Sequence, residues 1–222
     1  MGELTEAKGP FRFYTRLHLS ELTGLKARNL GDLVRILKEV SGSSVYHHTH
    51  RFLQQHQYLS PEPPNDFAYW VTEVLGEHEL GEKLASIDTV RFMTIEDLRN
   101  NIITVITGYL KERPYANNRF TGDEEAFHFI KSLSFVVPTD YYAKDLGEFV
   151  DVLKNITIDS IYFHIFEARL RLHKRTNDFS YWIEDSLGDK ELADKLAKLD
   201  PYTQTLEDLR KSIIRIVQKR IQ

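Results

Sequence analysis

This 222-residue chain predicts a mainly α fold of two similar multi-helical halves in a pseudo-twofold arrangement. Three observations carry that expectation. Residues 11–111 recur in residues 127–221, apolar residues return at helical spacing through most of each copy, and capping residues stand where those runs begin.

The duplication is legible residue by residue. Leu30-Gly31-Asp32-Leu33 returns as Leu146-Gly147-Glu148-Phe149, and Ser44, Tyr46 and His48 return as Ser160, Tyr162 and His164. After a contraction in the intervening loop, Asn65-Asp66-Phe67-Ala68-Tyr69-Trp70 returns as Asn177-Asp178-Phe179-Ser180-Tyr181-Trp182. Leu75-Gly76 with Glu79-Leu80, and Glu96-Asp97-Leu98-Arg99, have counterparts in Leu187-Gly188 with Glu191-Leu192 and in Glu207-Asp208-Leu209-Arg210. The domain reading that follows is a first repeat over 1–111, a connecting segment over 112–126 and a second repeat over 127–222, packed as one compact structural unit.

Each copy opens with apolar residues at period two: Phe11, Phe13, Leu17 and Leu19, then Phe127, Phe129, Leu133, Phe135 and Val137. That period favours a short strand or extended arm before the helices, bounded by Gly9-Pro10 and Pro138, with one strand pair between the halves and an all-helical alternative left open. Asn29 and Asp145 are placed to cap helices reaching about residues 40 and 156. A second pair starts at Ser43 or Ser44 and at Asp159 or Ser160, and extends to about residues 58 and 174. The Pro61, Pro63 and Pro64 cluster reads as a loop, because proline removes a donor and restricts its predecessor. Asn65 or Asp66, and Asn177 or Asp178, then cap short helices ended by Gly76 and Gly188. Helices over about 78–87 and 94–111, and 190–199 and 205–221, complete the copies. Thr94 with Asp97, and Thr205 with Asp208, stand in capping-box positions. Pro114, Asn117-Asn118 and Gly122 give the connecting segment the composition of a surface linker.

Composition bounds the function. Apolar residues make up 41% of the chain and charged ones 28%, which suits a folded core. No run of apolar residues is long enough for a membrane-spanning helix and the start lacks an export-signal pattern, so a cytoplasmic protein without transmembrane association is expected. The absence of cysteine removes thiolate chemistry and cysteine-ligated metals. A net charge of −4 argues against nucleic-acid binding. The two basic clusters, Arg169 to Arg175 and Lys211 to Arg220, read as solvated helix faces.

The chemical candidates are few. His47, His48, His50 and His56 are dense, yet they lack the spacing of a metalloprotease motif, so no metal or other cofactor is expected. His48 and His164 stand apart from the rest, each two residues after a repeated tyrosine. Asp66 and Asp178 read chiefly as helix caps and Trp70 and Trp182 as core anchors. With Tyr46 and Tyr162, these eight residues are the candidates for lining a pocket.

The Asn-Asp-Phe-x-x-Trp, Leu-Gly-x-x-Glu-Leu and Ser-x-Tyr-x-His segments resemble those of an uncharacterised, duplicated bacterial and archaeal family, over nearly the whole chain. The resemblance implies the helical duplicated fold and no activity. Function is therefore open at this level. The favoured expectation is a noncatalytic protein-interaction or regulatory module with a protein partner or a homodimer. The alternative is a small-molecule-binding protein or enzyme with a polar pocket between the repeats.

Overall fold

The computed structural model describes residues 5–51, 65–168, 176–199 and 205–222. Helices dominate, but the fold is anchored by two long strands, β1 (Phe11–Ala27) and β2 (Phe127–Ala143), paired as a two-stranded antiparallel sheet. The mainly α expectation is thereby corrected. Strict alternation fades after Leu19, where Ser20, Glu21 and Gly24 follow, so the sequence pattern marks only the start of each strand. Pro138 lies inside β2 rather than ending it; a strand in a two-stranded sheet has one edge without a sheet partner, where a missing N–H breaks no ladder bond.

The expected pair of multi-helical halves about a pseudo-twofold axis does not describe the molecule either. The described residues fall into two compact units whose boundaries lie inside the strands, at 17/18 and 134/135. Each unit therefore combines helices with strand segments from both sequence repeats.

The first unit holds residues 18–27 and 127–134 of the strands together with, among the described residues, five α-helices. Helix α1 (Leu30–Glu39) starts where the Asn29 side chain accepts the Asp32 N–H, and it buries Leu30, Leu33, Val34, Ile36 and Leu37. Helix α2 (Gly42–Tyr46) continues into a π-helical turn, His47–Arg51. Helix α3 (Asp66–Tyr69) likewise continues into a π-helical turn, Trp70–Val74, and Gly76 follows at φ +66. Helices α4 (His78–Ala85) and α5 (Ile95–Glu112) close the unit over a core that includes Leu37, Phe67, Val71, Leu84, Leu98, Ile102, Ile106 and Phe129.

The connecting segment is more than a surface linker. Its 3-10 turn, Pro114–Asn118, buries Ala116 and docks on the start of α1. There Asn117 Oδ1 accepts the Gly31 N–H at 2.7 Å, and its carbonyl accepts a bond from Asn29 Nδ2. A Cβ on Gly31 would stand 2.6 Å from that same oxygen, so a side chain there would push Asn117 off this bond.

The second unit holds residues 11–17 and 135–143 of the strands. Its helices are α6 (Leu146–Asn155), α7 (Ile158–Tyr162) with a π-helical turn at Phe163–Glu167, α8 (Asp178–Leu187), α9 (Lys190–Ala197) and α10 (Leu206–Ile221). Gly188 ends α8 in the left-handed conformation. Phe149 stacks between Phe13 and Trp182, with ring centroids 5.8 and 5.4 Å away. Among the described residues no helix is long and apolar enough to cross a membrane.

Candidate functional site

Two π-helical turns, rare structures that often mark functional positions, carry the repeated histidines. In the first unit His48 is buried. Its Nδ1 lies 2.7 Å from Asp66 Oδ2, and its Nε2 lies 3.0 Å from the backbone nitrogen of Ile130 in β2. Ser44, one turn earlier, donates its hydroxyl to the carbonyl of the same Ile130 at 2.8 Å.

The second unit repeats every contact. His164 Nδ1 lies 2.7 Å from Asp178 Oδ2, His164 Nε2 accepts the Tyr14 N–H at 2.9 Å, and Ser160 donates to the Tyr14 carbonyl at 2.7 Å.

These partners fix the tautomer. A backbone N–H can only donate, so Nε2 is an acceptor without a proton and the ring hydrogen sits on Nδ1, donated to the carboxylate. Both nitrogens of each ring are thus engaged. What the arrangement does is hold one strand residue by its amide and its carbonyl, as a neighbouring strand would. The repeated Ser-x-Tyr-x-His segment is a side-chain clamp on a sheet edge.

The aspartates are partners of the histidines rather than the capping groups. The caps are Asn65 and Asn177, whose side-chain oxygens accept the N–H groups of Ala68 and Ser180 at 2.8 and 2.9 Å. Their amide nitrogens donate to the Leu84 and Leu196 carbonyls, tying each cap to the end of the next helix. Asp66 and Asp178 occupy the first helical position, where the positive helix end favours a carboxylate. Trp70 and Trp182 are buried, and their indole N–H groups donate to the carbonyls of Glu125 and Gly9 at 2.8 and 2.9 Å.

Tyr46 and Tyr162 are buried stacking partners. Tyr46 lies 5.4 Å from the His50 ring and 6.1 Å from that of His18, while Tyr162 lies 4.9 Å from Phe166. Burial lowers the pKa of His50 to about 4. His47 Nδ1 meets Ser132 Oγ at 2.9 Å, and His56 lies outside the described residues. Among the described residues no group of three or more histidine or acidic side chains is placed to hold a metal ion.

Sequence reasoning missed a cavity of about 470 Å³ in the second unit. Phe11, Tyr14, Phe163, Tyr181 and Trp182 supply its rings, His164 and Asp178 stand in its wall, and Arg12 and Asp185 add charge. Of the eight sequence candidates it gathers three, His164, Asp178 and Trp182. Tyr162 belongs to the same unit but is not part of the lining, and the other four belong to the first unit. A usable signal was present: Tyr181 repeats Tyr69, and both are exposed, at 45% and 46%. A core role does not account for a repeated exposed ring.

The fold and site define a class: helical units that each include segments of two antiparallel strands, with a histidine-serine clamp on a strand residue in each. The chain matches a family of unknown function (DUF5752) over residues 8–218, and it belongs to that family. It is similar to the solved structure of OrfY from Thermoproteus tenax, with 30% identity over 98% of each chain and a TM-score of 0.81. No curated protein matches.

Proposed function

We propose that the chain is a noncatalytic interaction module whose contact surface is the ribbon, taken by a protein partner with a complementary apolar face. One observation carries this reading. In the first unit Leu19, Leu22, Leu25 and Leu133 stand exposed on the strands, Leu22 at 68%. Isolated exposed leucines are ordinary, whereas several on one short ribbon, with Leu19 and Leu22 on opposite faces by the period of two, leave both of its faces for a partner to cover.

The enzymatic alternative, proton chemistry at His48 and His164 in a polar pocket between the repeats, has less support. Each ring already has one nitrogen on a carboxylate and the other on a backbone amide.

Leu19→Ser/Leu22→Ser tests the proposal. These side chains leave the core untouched, so the thermal midpoint should stay close to that of the parent. A partner recovered with the parent chain, purified and titrated back, should bind the parent and bind the variant at least about tenfold more weakly. Equal binding by parent and variant refutes the ribbon as the surface. Failure of the parent to bind any partner refutes the module itself.

A further inference from the structure

Five aromatic rings line the cavity of the second unit, and among the described residues its charged lining groups are two carboxylates, Asp178 and Asp185, and one guanidinium, Arg12. Its volume of about 470 Å³ falls in the range of small-molecule sites. We propose that it binds an organic cation: an ammonium-type head on an aromatic or aliphatic body, the head held by ring faces and carboxylate and the body by the apolar wall.

Three observations support that charge. The face of an aromatic ring carries negative potential, so a box of Phe11, Tyr14, Phe163, Tyr181 and Trp182 attracts cations and disfavours anions. One of these rings already has a cation against it: the Arg16 guanidinium, ion-paired with Glu167, lies 5.9 Å from the Phe163 ring centroid. Asp178 is held in place by its bond from His164 and has a side-chain exposure of 14%, which makes it a fixed rather than a wandering charge. Asp185, one turn beyond Tyr181 on α8, is exposed and makes no ion pair among the described residues.

The duplication supplies an internal control. Asp66, Tyr69 and Glu73 repeat the spacing of Asp178, Tyr181 and Asp185. The positions of Tyr14 and Phe163, however, are held in the first unit by Ile130 and His47. The first unit therefore lacks the Tyr14 ring and has an imidazole in place of the Phe163 phenyl, and one site per chain is expected. This inference does not depend on the ribbon as an interaction surface.

Titration calorimetry on the full chain with 2-phenylethylammonium, 2-phenylethanol and phenylacetate decides the matter. The expected result is one saturable site for the ammonium, with the alcohol and the carboxylate at least about tenfold weaker. Asp185→Asn and Tyr181→Ala should each weaken the ammonium by about tenfold or more at an unchanged thermal midpoint, while Glu73→Gln leaves it unaltered. Asp185 is the carboxylate to change because Asp178 also anchors His164. No saturable binding up to the solubility limit overturns the proposal. So does binding of the alcohol or phenylacetate as tightly as the ammonium, or a loss caused by Glu73→Gln.

Discussion

Ser44 and His48, one helical turn apart, close on the two backbone groups of a single strand residue, the carbonyl and the amide of Ile130. Because the same imidazole also donates to Asp66, its loss strands a part-buried amide and a carboxylate together. His48→Phe is expected to cost about 2 to 4 kcal/mol in urea unfolding, and Ser44→Ala, which strands only a carbonyl, about 1 kcal/mol. Hydrogen exchange supplies the local reading. The Ile130 amide should exchange faster in His48→Phe, and an unchanged rate there would remove the clamp from the account.

Asn65 and Asn177 look interchangeable with aspartate on capping preference alone, but the structure gives each a second duty. The side-chain amide of Asn65 donates to the Leu84 carbonyl at 3.1 Å, in a buried setting. Asn65→Asp keeps the cap acceptor and turns that donor into a carboxylate oxygen facing a carbonyl. It should destabilise the chain by about 2 kcal/mol or more, whereas a pure capping role would leave it near neutral. Chemical unfolding of the two variants Asn65→Asp and Asn177→Asp separates these outcomes.

What the sequence showed, and what it hid, follows from the range of each interaction. Helix starts at Asn29, Thr94, Asp145 and Thr205 were legible because a cap and the N–H it accepts lie three residues apart. The strand starts were legible for the same reason, through Phe11, Phe13, Phe127 and Phe129 at period two. Strand length was hidden, since residues beyond Leu19 are mostly exposed and their apolar pattern carries no core face to read. The clamp was hidden as well. Ser44 and Ile130 are 86 residues apart, and nothing local to either predicts that they meet. Asp66 and Asp178 were read as caps because a carboxylate at a helix start has a sufficient local explanation, which concealed their bond to a histidine in another element.

Trp70 and Trp182 combine a buried ring with one polar obligation, the indole N–H on the Glu125 or Gly9 carbonyl. Trp70→Ala and Trp182→Ala should each cost roughly 3 to 5 kcal/mol. Phenylalanine at either position keeps much of the aromatic contact but gives up the hydrogen bond, so a smaller loss of about 1 to 2 kcal/mol is expected. Guanidinium unfolding of all four variants measures the ladder. Losses below about 1 kcal/mol for both alanine variants would show that the rings are not core anchors.

His50 gives the stability of the chain a defined response to acid. Burial holds its folded pKa near 4, against 6.5 for the free side chain. Above about pH 6.5 the ring is neutral in both states and contributes no pH dependence. Between 6.5 and 4 the unfolded chain takes up a proton that the folded ring refuses, so stability falls as the pH falls, by on the order of 3 kcal/mol across the window. Phenylalanine is a suitable replacement, since Phe166 stacks on Tyr162 much as His50 stacks on Tyr46. The Thr49 hydroxyl, which lies 2.8 Å from His50 Nδ1, still donates to the Val45 carbonyl after the exchange, so that hydroxyl keeps its own acceptor. His50→Phe should therefore remain within about 1 kcal/mol of the parent at pH 7.5 and lose less stability than the parent on going to pH 4.5. The difference between the two chains isolates the contribution of this ring. Urea unfolding at pH 7.5, 5.5 and 4.5 measures it, and parallel losses in parent and variant would show that His50 is not the group that responds.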